Sequence, residues 1–329
     1  MRAPEFWQRR DSVLARLLAP ASLAWRAGGA LRRAWTAPYR APVPVICVGN
    51  LVAGGAGKTP VALALGKRLV ESGIRAHFLS RGYGGSLGGP HRVDPARDTA
   101  AAVGDEPLLL AARAPTWIAR DRAAGARAAV AAGAEAIVMD DGFQNPAIAK
   151  TVSLLVVDGG QGFGNGRVMP AGPLREPVAQ GLDRAQAVVL VGEDTAGVAA
   201  MVQAKPILHA QLAPGLDAER FRGERVAAFA GIGRPAKFYA TLRRLGATLV
   251  ATRDFADHYR YKPEDIMEML DHARRRDAVL ITTAKDAVRL PPGALNMVHV
   301  LPVELAWSDP AALDRVLAPA LAGRNGGSR

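Results

Sequence analysis

Residues 52–60, VAGGAGKTP, gather three glycines, a lysine and a threonine directly behind an apolar, β-branched run (Val43, Val45, Ile46, Val48). A strand that feeds a glycine-rich turn and then a helix is the arrangement that cradles phosphate. Backbone N–H groups converge on the oxygens, the helix N-terminus adds its positive end, and a lysine reaches the terminal groups. The strict pattern G-x-x-x-x-G-K-[ST] is broken, because Val52 stands where the first glycine belongs and Gly54 and Gly55 lie inside the loop. The physical requirements survive the change. Gly54, Gly55, Ala56, Gly57, Lys58, Thr59 and Pro60 form the expected nucleotide-binding segment, with the Thr59 hydroxyl available to Mg2+. The related pattern K-G-G-x-G-K-T, in which a second lysine enters a partner's site, is ruled against by Ala53 in that lysine's position.

A phosphate loop works with a metal-holding carboxylate at the end of a neighbouring strand. AIVMDDGFQN (136–145) supplies two candidates, Asp140 and Asp141, one of which is free to orient a loop instead. VGDEPLLLAAR (103–113) carries Asp105 and Glu106, but a carboxylate and a proline opening a helix also read as an ordinary cap. His258, in FADHYRY, reads as a loop residue before a helix near Pro263. Spacing alone connects none of these.

The elements that must position them alternate short apolar runs with helical patterns, which predicts an α/β fold. The expected architecture is a P-loop NTPase-like parallel sheet flanked by helices, with a second, smaller α/β domain. Strands are expected at 43–48, 76–80, from 136 to the two aspartates 140 and 141, and at 153–157, with the first helix over about 59–72. After residue 178 the pattern restarts, with strands at 187–191, 226–231, 248–252, 279–283 and 298–303 and helices at 236–245, 263–275 and 310–321. The expected division is 1–42 as a basic amphipathic segment, 43–177 as the kinase-like domain and 178–329 as the second domain. The C-terminal helix is available to pack back on the first, and the tail GRNGGSR is expected to fray.

Charge supports a particular reading of the N-terminal segment. The chain carries +12 overall, and residues 1–44 hold eight arginines (2, 9, 10, 16, 26, 32, 33, 40) against Glu5 and Asp11, an excess of six. Phe6, Val13, Leu14, Leu17 and Leu18 recur at helical spacing, and Trp7, Trp25 and Trp35 fall in the same segment. Arginine with tryptophan on an amphipathic helix is the composition of an interfacial anchor, and each basic residue near an anionic leaflet contributes about 1 kcal/mol. A signal peptide is argued against by Pro20 and by the arginines that follow the apolar stretch. No run is long and apolar enough to predict a membrane span. Aromatic residues make up only 5% of the chain and the basic cluster lies beside apolar helix faces, so no nucleic acid partner is expected. The single cysteine, Cys47, reads as a buried strand residue, which leaves no disulfide framework.

Taken together, VGNLVAGGAGKTP, LSRGYGG, VGDEPLLLA, VMDDGFQN, NGRVMPAGPLREP, FADHY and TTAKDAVRL, in order over residues 48–290, closely resemble the tetraacyldisaccharide 4′-kinase family, the lipid A 4′-kinases of Gram-negative bacteria. The resemblance implies transfer of the ATP γ-phosphate to the 4′-hydroxyl of tetraacyldisaccharide 1-phosphate by a peripheral enzyme on the cytoplasmic, anionic face of the inner membrane. It also implies roles. Asp105 would act as general base with help from His258, Lys58 would serve the transferring phosphate, and Glu106 with Asp140 and Asp141 would shape the Mg2+ site. Arg81 and Arg175 are the candidate contacts to phosphate or substrate, being planar donors suited to anionic oxygens. With Asp105 in one domain and His258 in the other, the site would lie between them and depend on closure. A switch-type NTPase would need a base-recognition motif such as N-K-x-D, and a metallochaperone would need Cys/His clusters; the sequence carries neither.

Overall fold

The computed structural model describes residues 4–9 and 11–322; Arg2, Arg10 and the tail from 323 onward lie outside the described residues. Among the described residues, thirteen strands form two sheets. The larger contains β1 (Val45–Gly49), β2 (Ala76–Ser80), β3 (His91–Arg92), β4 (Thr116–Ile118), β5 (Ala136–Asp140), β6 (Val152–Asp158), β7 (Ala187–Val191) and β8 (Ile207–Pro214). The smaller contains β9 (Arg225–Ala230), β10 (Thr248–Asp254), β11 (Val279–Thr283) and β12 (His299–Leu301); β13 (Val303–Trp307) returns to the larger.

The larger sheet runs β13-β8-β7-β6-β1-β5-β2-β4-β3. Every pairing is parallel except those of the edge strands, β13 with β8 and β3 with β4. All residues of β1, β2, β5, β6 and β7 are buried, as expected for apolar runs covered by helices on both faces. On one face lie the helices Lys58–Glu71 and Pro310–Ala322, whose Leu65, Leu69, Leu313 and Leu317 share a core with Ile46, Val138 and Val189. On the other, Ala126 and Ala129 of the helix Arg122–Ala131 and the loop residues Phe163 and Leu174 pack over Cys47, Ile137 and Leu155. Burial pushes the Cys47 thiol up to about 12, which suits an inert core side chain.

The expected boundary at 177/178 does not divide the sheets. β7 continues the larger sheet beside β6, from Leu154↔Ala187 to Asp158↔Val191; β8 pairs with β7, and β13 closes that edge. The second unit is the smaller sheet, β10-β9-β11-β12, parallel throughout. It is covered on one face by Phe238 and Leu242 of the helix Pro235–Arg244 and on the other by Ile266 and Leu270 of the helix Pro263–Arg274. Local periodicity reveals that a strand exists; which sheet it joins is decided by pairings made across the chain.

The N-terminal segment is helical in three pieces, Glu5–Gln8 (3-10), Val13–Leu17 and Ala19–Trp35. Pro20 sits in the first turn of the longest piece, where a missing N–H is harmless. Polar tips fasten it to the loop after β6: Trp7 Nε1–H donates to the Pro170 carbonyl (3.1 Å), the Ser22 hydroxyl to Val168 (2.7 Å) and Trp25 Nε1–H to Arg175 (3.0 Å). Large apolar side chains stay outside, with Leu17 73%, Leu23 62% and Trp35 80% exposed. Among the described residues no helix is long and apolar enough to cross a membrane.

Candidate active site

The functional side chains converge on a cleft of about 1990 Å³ between the two units, at the C-terminal ends of β1, β5 and β6. Asn50, buried after β1, shapes the loop by donating from Nδ2 to the Val52 carbonyl (2.8 Å). Gly57 turns the chain into the helix Lys58–Glu71 at φ 86°, a conformation that disfavours any residue with a Cβ. No side chain caps that helix, so its first amides are directed at the cleft as anion donors.

The two aspartates after β5 are not equivalent. Parallel register sets Asp140 opposite Val48, beside the phosphate loop. Its Oδ2 accepts the Thr59 hydroxyl at 2.9 Å, while its buried Oδ1 has no hydrogen-bond partner. Burial pushes the Asp140 carboxyl up to about 7; Glu106 and Asp141 add to the rise, and Lys58 and the Thr59 hydrogen bond oppose it. Asp141, at φ 55°, is gripped by the Arg175 fork (2.9 and 3.3 Å) and lies 3.9 Å from Lys58 Nζ. Burial raises its carboxyl too, but Lys58 and Arg175 outweigh that and hold it below the usual range. Asp140 is therefore the carboxylate with an oxygen to offer a cation. Among the described residues no cluster of three or more His, Cys, Asp or Glu is disposed to hold a metal by itself. The unpartnered Asp140 Oδ1 is a donor of the kind Mg2+ takes, an ion that binds one or two carboxylates and completes its shell with water and substrate phosphate.

Asp105 does not cap its helix. The cap position is Gly104, at φ 90°, where a Cβ would meet the Tyr83 carbonyl at 2.6 Å; Asp105 is the first helical residue and is 5% exposed. Its Oδ1 accepts the Glu106 N–H (3.0 Å), and its Oδ2 lies 2.9 Å from His258 Nδ1, across 153 residues of chain. Burial raises the Asp105 carboxyl, but the His258 hydrogen bond and the charges of Lys285 and Arg289 hold it below its ordinary range. His258 stands at φ 60° on the loop after β10, its backbone N–H donating to the Gly231 carbonyl at 3.2 Å. With Nδ1 committed to Asp105, the second ring nitrogen is left as the proton acceptor of the pair.

Beneath this pair lies a polar hub in the segment TTAKDAVRL, to which sequence reasoning assigned no role. Asp286, fully buried, accepts from the Tyr261 hydroxyl (2.6 Å), Arg289 Nη2 (2.7 Å), the Gly231 N–H (2.8 Å) and the Thr283 hydroxyl (2.5 Å). Arg289 also donates to the Gly231 and Tyr259 carbonyls, and its Nε lies 3.8 Å from Asp105. Lys285 reaches Glu106 at 3.4 Å, so Glu106 is tied across the cleft, and its charge adds to the rise of the Asp140 carboxyl. Of the two candidate arginines, Arg175 is engaged with Asp141, whereas Arg81 is exposed and lines the cleft. Behind Arg81 is the buried Arg122, whose guanidinium burial and the Arg81 charge push down to about 10; it donates to the Ala119 carbonyl.

Comparison with known proteins shows the family. Residues 14–322 match the family LpxK, tetraacyldisaccharide-1-P 4′-kinase. The tetraacyldisaccharide 4′-kinase of Rhodospirillum centenum is 59% identical over 331 aligned positions, covering 99% of this chain and 98% of that protein. That of Rhodospirillum rubrum is 53% identical over 329, covering 98% and 99%. The crystal structure of LpxK from Aquifex aeolicus in complex with ATP matches with a TM-score of 0.76 at 26% identity, covering 94% of this chain and all of that one (100%). With a phosphate loop, a carboxylate beside it and a family match over nearly its whole length, this chain belongs to the tetraacyldisaccharide-1-P 4′-kinase family.

Proposed function

We propose that this chain binds ATP with Mg2+ and transfers the γ-phosphate to the 4′-hydroxyl of tetraacyldisaccharide 1-phosphate. The single observation that carries the chemical half of this reading is the Asp105–His258 pair, 2.9 Å apart, whose histidine lines the same cleft as the phosphate loop. A sugar hydroxyl must lose its proton as it attacks phosphorus, and a carboxylate–imidazole pair supplies a base there. Asp105 holds Nδ1–H and fixes the ring, and the pair takes up the proton as a unit. Gly54 to Pro60 bind the polyphosphate, with Lys58 on its terminal groups. Thr59 and Asp140 would hold Mg2+, with Glu106 nearby; the ion, when bound, neutralises charge on the phosphate oxygens. Arg81 is the cleft arginine best disposed to meet an anionic group of the substrate, while Arg175 acts through Asp141.

The N-terminal helices are the lipid-facing part of the reading. Their exposed Leu17, Leu23 and Trp35 and their exposed arginines suit the anionic surface of a bacterial inner membrane on its cytoplasmic side, held peripherally rather than spanned. No nucleic acid partner is proposed. The test is label transfer from [γ-32P]ATP to tetraacyldisaccharide 1-phosphate carried in anionic or zwitterionic vesicles. The expected result is lipid-bound label, formed faster on anionic vesicles, with Trp35→Glu reducing that preference. A folded, ATP-binding protein that labels no lipid would overturn the reading.

A further inference from the structure

Arg234 stands immediately before the helix Pro235–Arg244 of the second unit, yet its side chain belongs to the first. Its Nη2 donates to Asp158 Oδ2 (2.6 Å) and to the Gly55 carbonyl (3.2 Å), and its Nη1 donates to Asp158 Oδ1 (3.3 Å). Asp158 ends β6, the strand adjacent to β1, is 5% exposed, and takes a second cation, Lys237, at 3.0 Å. A guanidinium supplied 179 residues further along the chain is thus bonded to the backbone of the phosphate loop itself.

A guanidinium offers five N–H donors. The bonds above use both N–H groups of Nη2 and one of Nη1. Among the described residues, Nε–H and the second N–H of Nη1 have no partner, and the side chain lines the cleft shared by Lys58, Asp140 and His258. A planar cation oriented by a buried carboxylate, with donors unspent beside the phosphate loop, is equipped to stabilise negative charge developing on a transferring phosphoryl group. We propose that Arg234 is a catalytic residue of this kind, supplied in cis across the cleft, so that phosphoryl transfer is competent only when the second unit is seated on the phosphate loop. The proposal rests on the kinase reading above.

The test compares wild type with Arg234→Ala and Asp158→Ala. The first readout is binding of Mg·ADP with and without aluminium fluoride, which mimics the transferring group and needs no lipid; the second is lipid phosphorylation. For Arg234→Ala, kcat should fall by about 100-fold or more, the aluminium fluoride complex should weaken by at least ~10-fold, and ADP alone should bind within about twofold of wild type. Added guanidinium ion should restore part of the rate. If Arg234 is only a tether, Arg234→Ala and Asp158→Ala lose activity equally, guanidinium restores neither, and aluminium fluoride binding falls no more than ADP binding; that result overturns the proposal. A wild type that binds ADP–aluminium fluoride but labels no lipid would refute the kinase reading, while the Arg234→Ala comparison in that binding assay still decides the role of Arg234.

Discussion

Replacing Asp286 with alanine tests whether the hub beneath the active site positions His258. Asp286 is fully buried and accepts four hydrogen bonds, one from Arg289, itself buried. Truncation takes from the interior guanidinium its nearest, hydrogen-bonded counter-charge and leaves only Asp105 at 3.8 Å, a loss of about 3–5 kcal/mol, and the Tyr261 hydroxyl and Gly231 N–H lose their acceptor as well. Against a total stability of roughly 5–15 kcal/mol that is a large fraction. The route to function runs through Gly231, whose N–H is held by Asp286 and whose carbonyl accepts the His258 N–H. Urea unfolding should therefore shift to lower denaturant by about 3 kcal/mol or more. At temperatures where the variant remains folded, kcat should fall while ATP affinity is kept, because the phosphate loop lies in the other unit. Asp286→Asn, which keeps the volume and one acceptor oxygen, should fall between the two. A loss under about 1 kcal/mol with unchanged kcat would refute the reasoning that this hub is a charge-paired support for His258.

Asp105→Asn and His258→Ala should each lower kcat by about 10²–10⁴-fold, and the double variant should lose little more than the worse single, since the two act as one base; fully multiplicative losses in single-turnover assays would separate them. Thr59→Val removes the hydroxyl from Asp140 Oδ2 and should raise the Mg2+ concentration needed for half-maximal rate by about 10-fold or more, read from a metal titration at fixed ATP. The pH dependence of stability carries the sign of Asp140. Its folded carboxyl is raised from 3.8 to about 7, so the stability it confers as a neutral group is full below 3.8 and is lost as pH rises through about 7. In metal-free buffer Asp140→Asn should match wild type near pH 3 and exceed it at pH 8 by on the order of 2–4 kcal/mol; equal urea midpoints at both would show that Asp140 is not buried as charged.

How much of this was legible in the sequence depends on the range of the interaction. The strand, glycine turn and Gly57-Lys58-Thr59 are contiguous, so the phosphate loop could be read despite Val52. The choice between Asp140 and Asp141 could not, because it rests on Arg175, 34 residues away, and on the β1–β5 register. The Asp105–His258 contact was reached only through resemblance to a family, since nothing local links residues so far apart. The helix Arg122–Ala131 went unread because alanine on every face gives little amphipathic contrast, and β8 because only Leu208 and Ala210 of its eight residues are buried, too few to set a pattern. Arg234 had one local signal, the proline after it at a helix start; its partners lie in the other unit.

The central claim is that Asp105, held by His258, serves chemistry and not the helix it begins. The most direct measurement is transfer of label from [γ-32P]ATP to tetraacyldisaccharide 1-phosphate in mixed detergent micelles by wild type and Asp105→Ala, with ATP affinity measured in parallel. The account predicts lipid product from wild type, about 100-fold less or lower still from the variant, and similar ATP affinity in both. A variant that keeps the wild-type rate would contradict it.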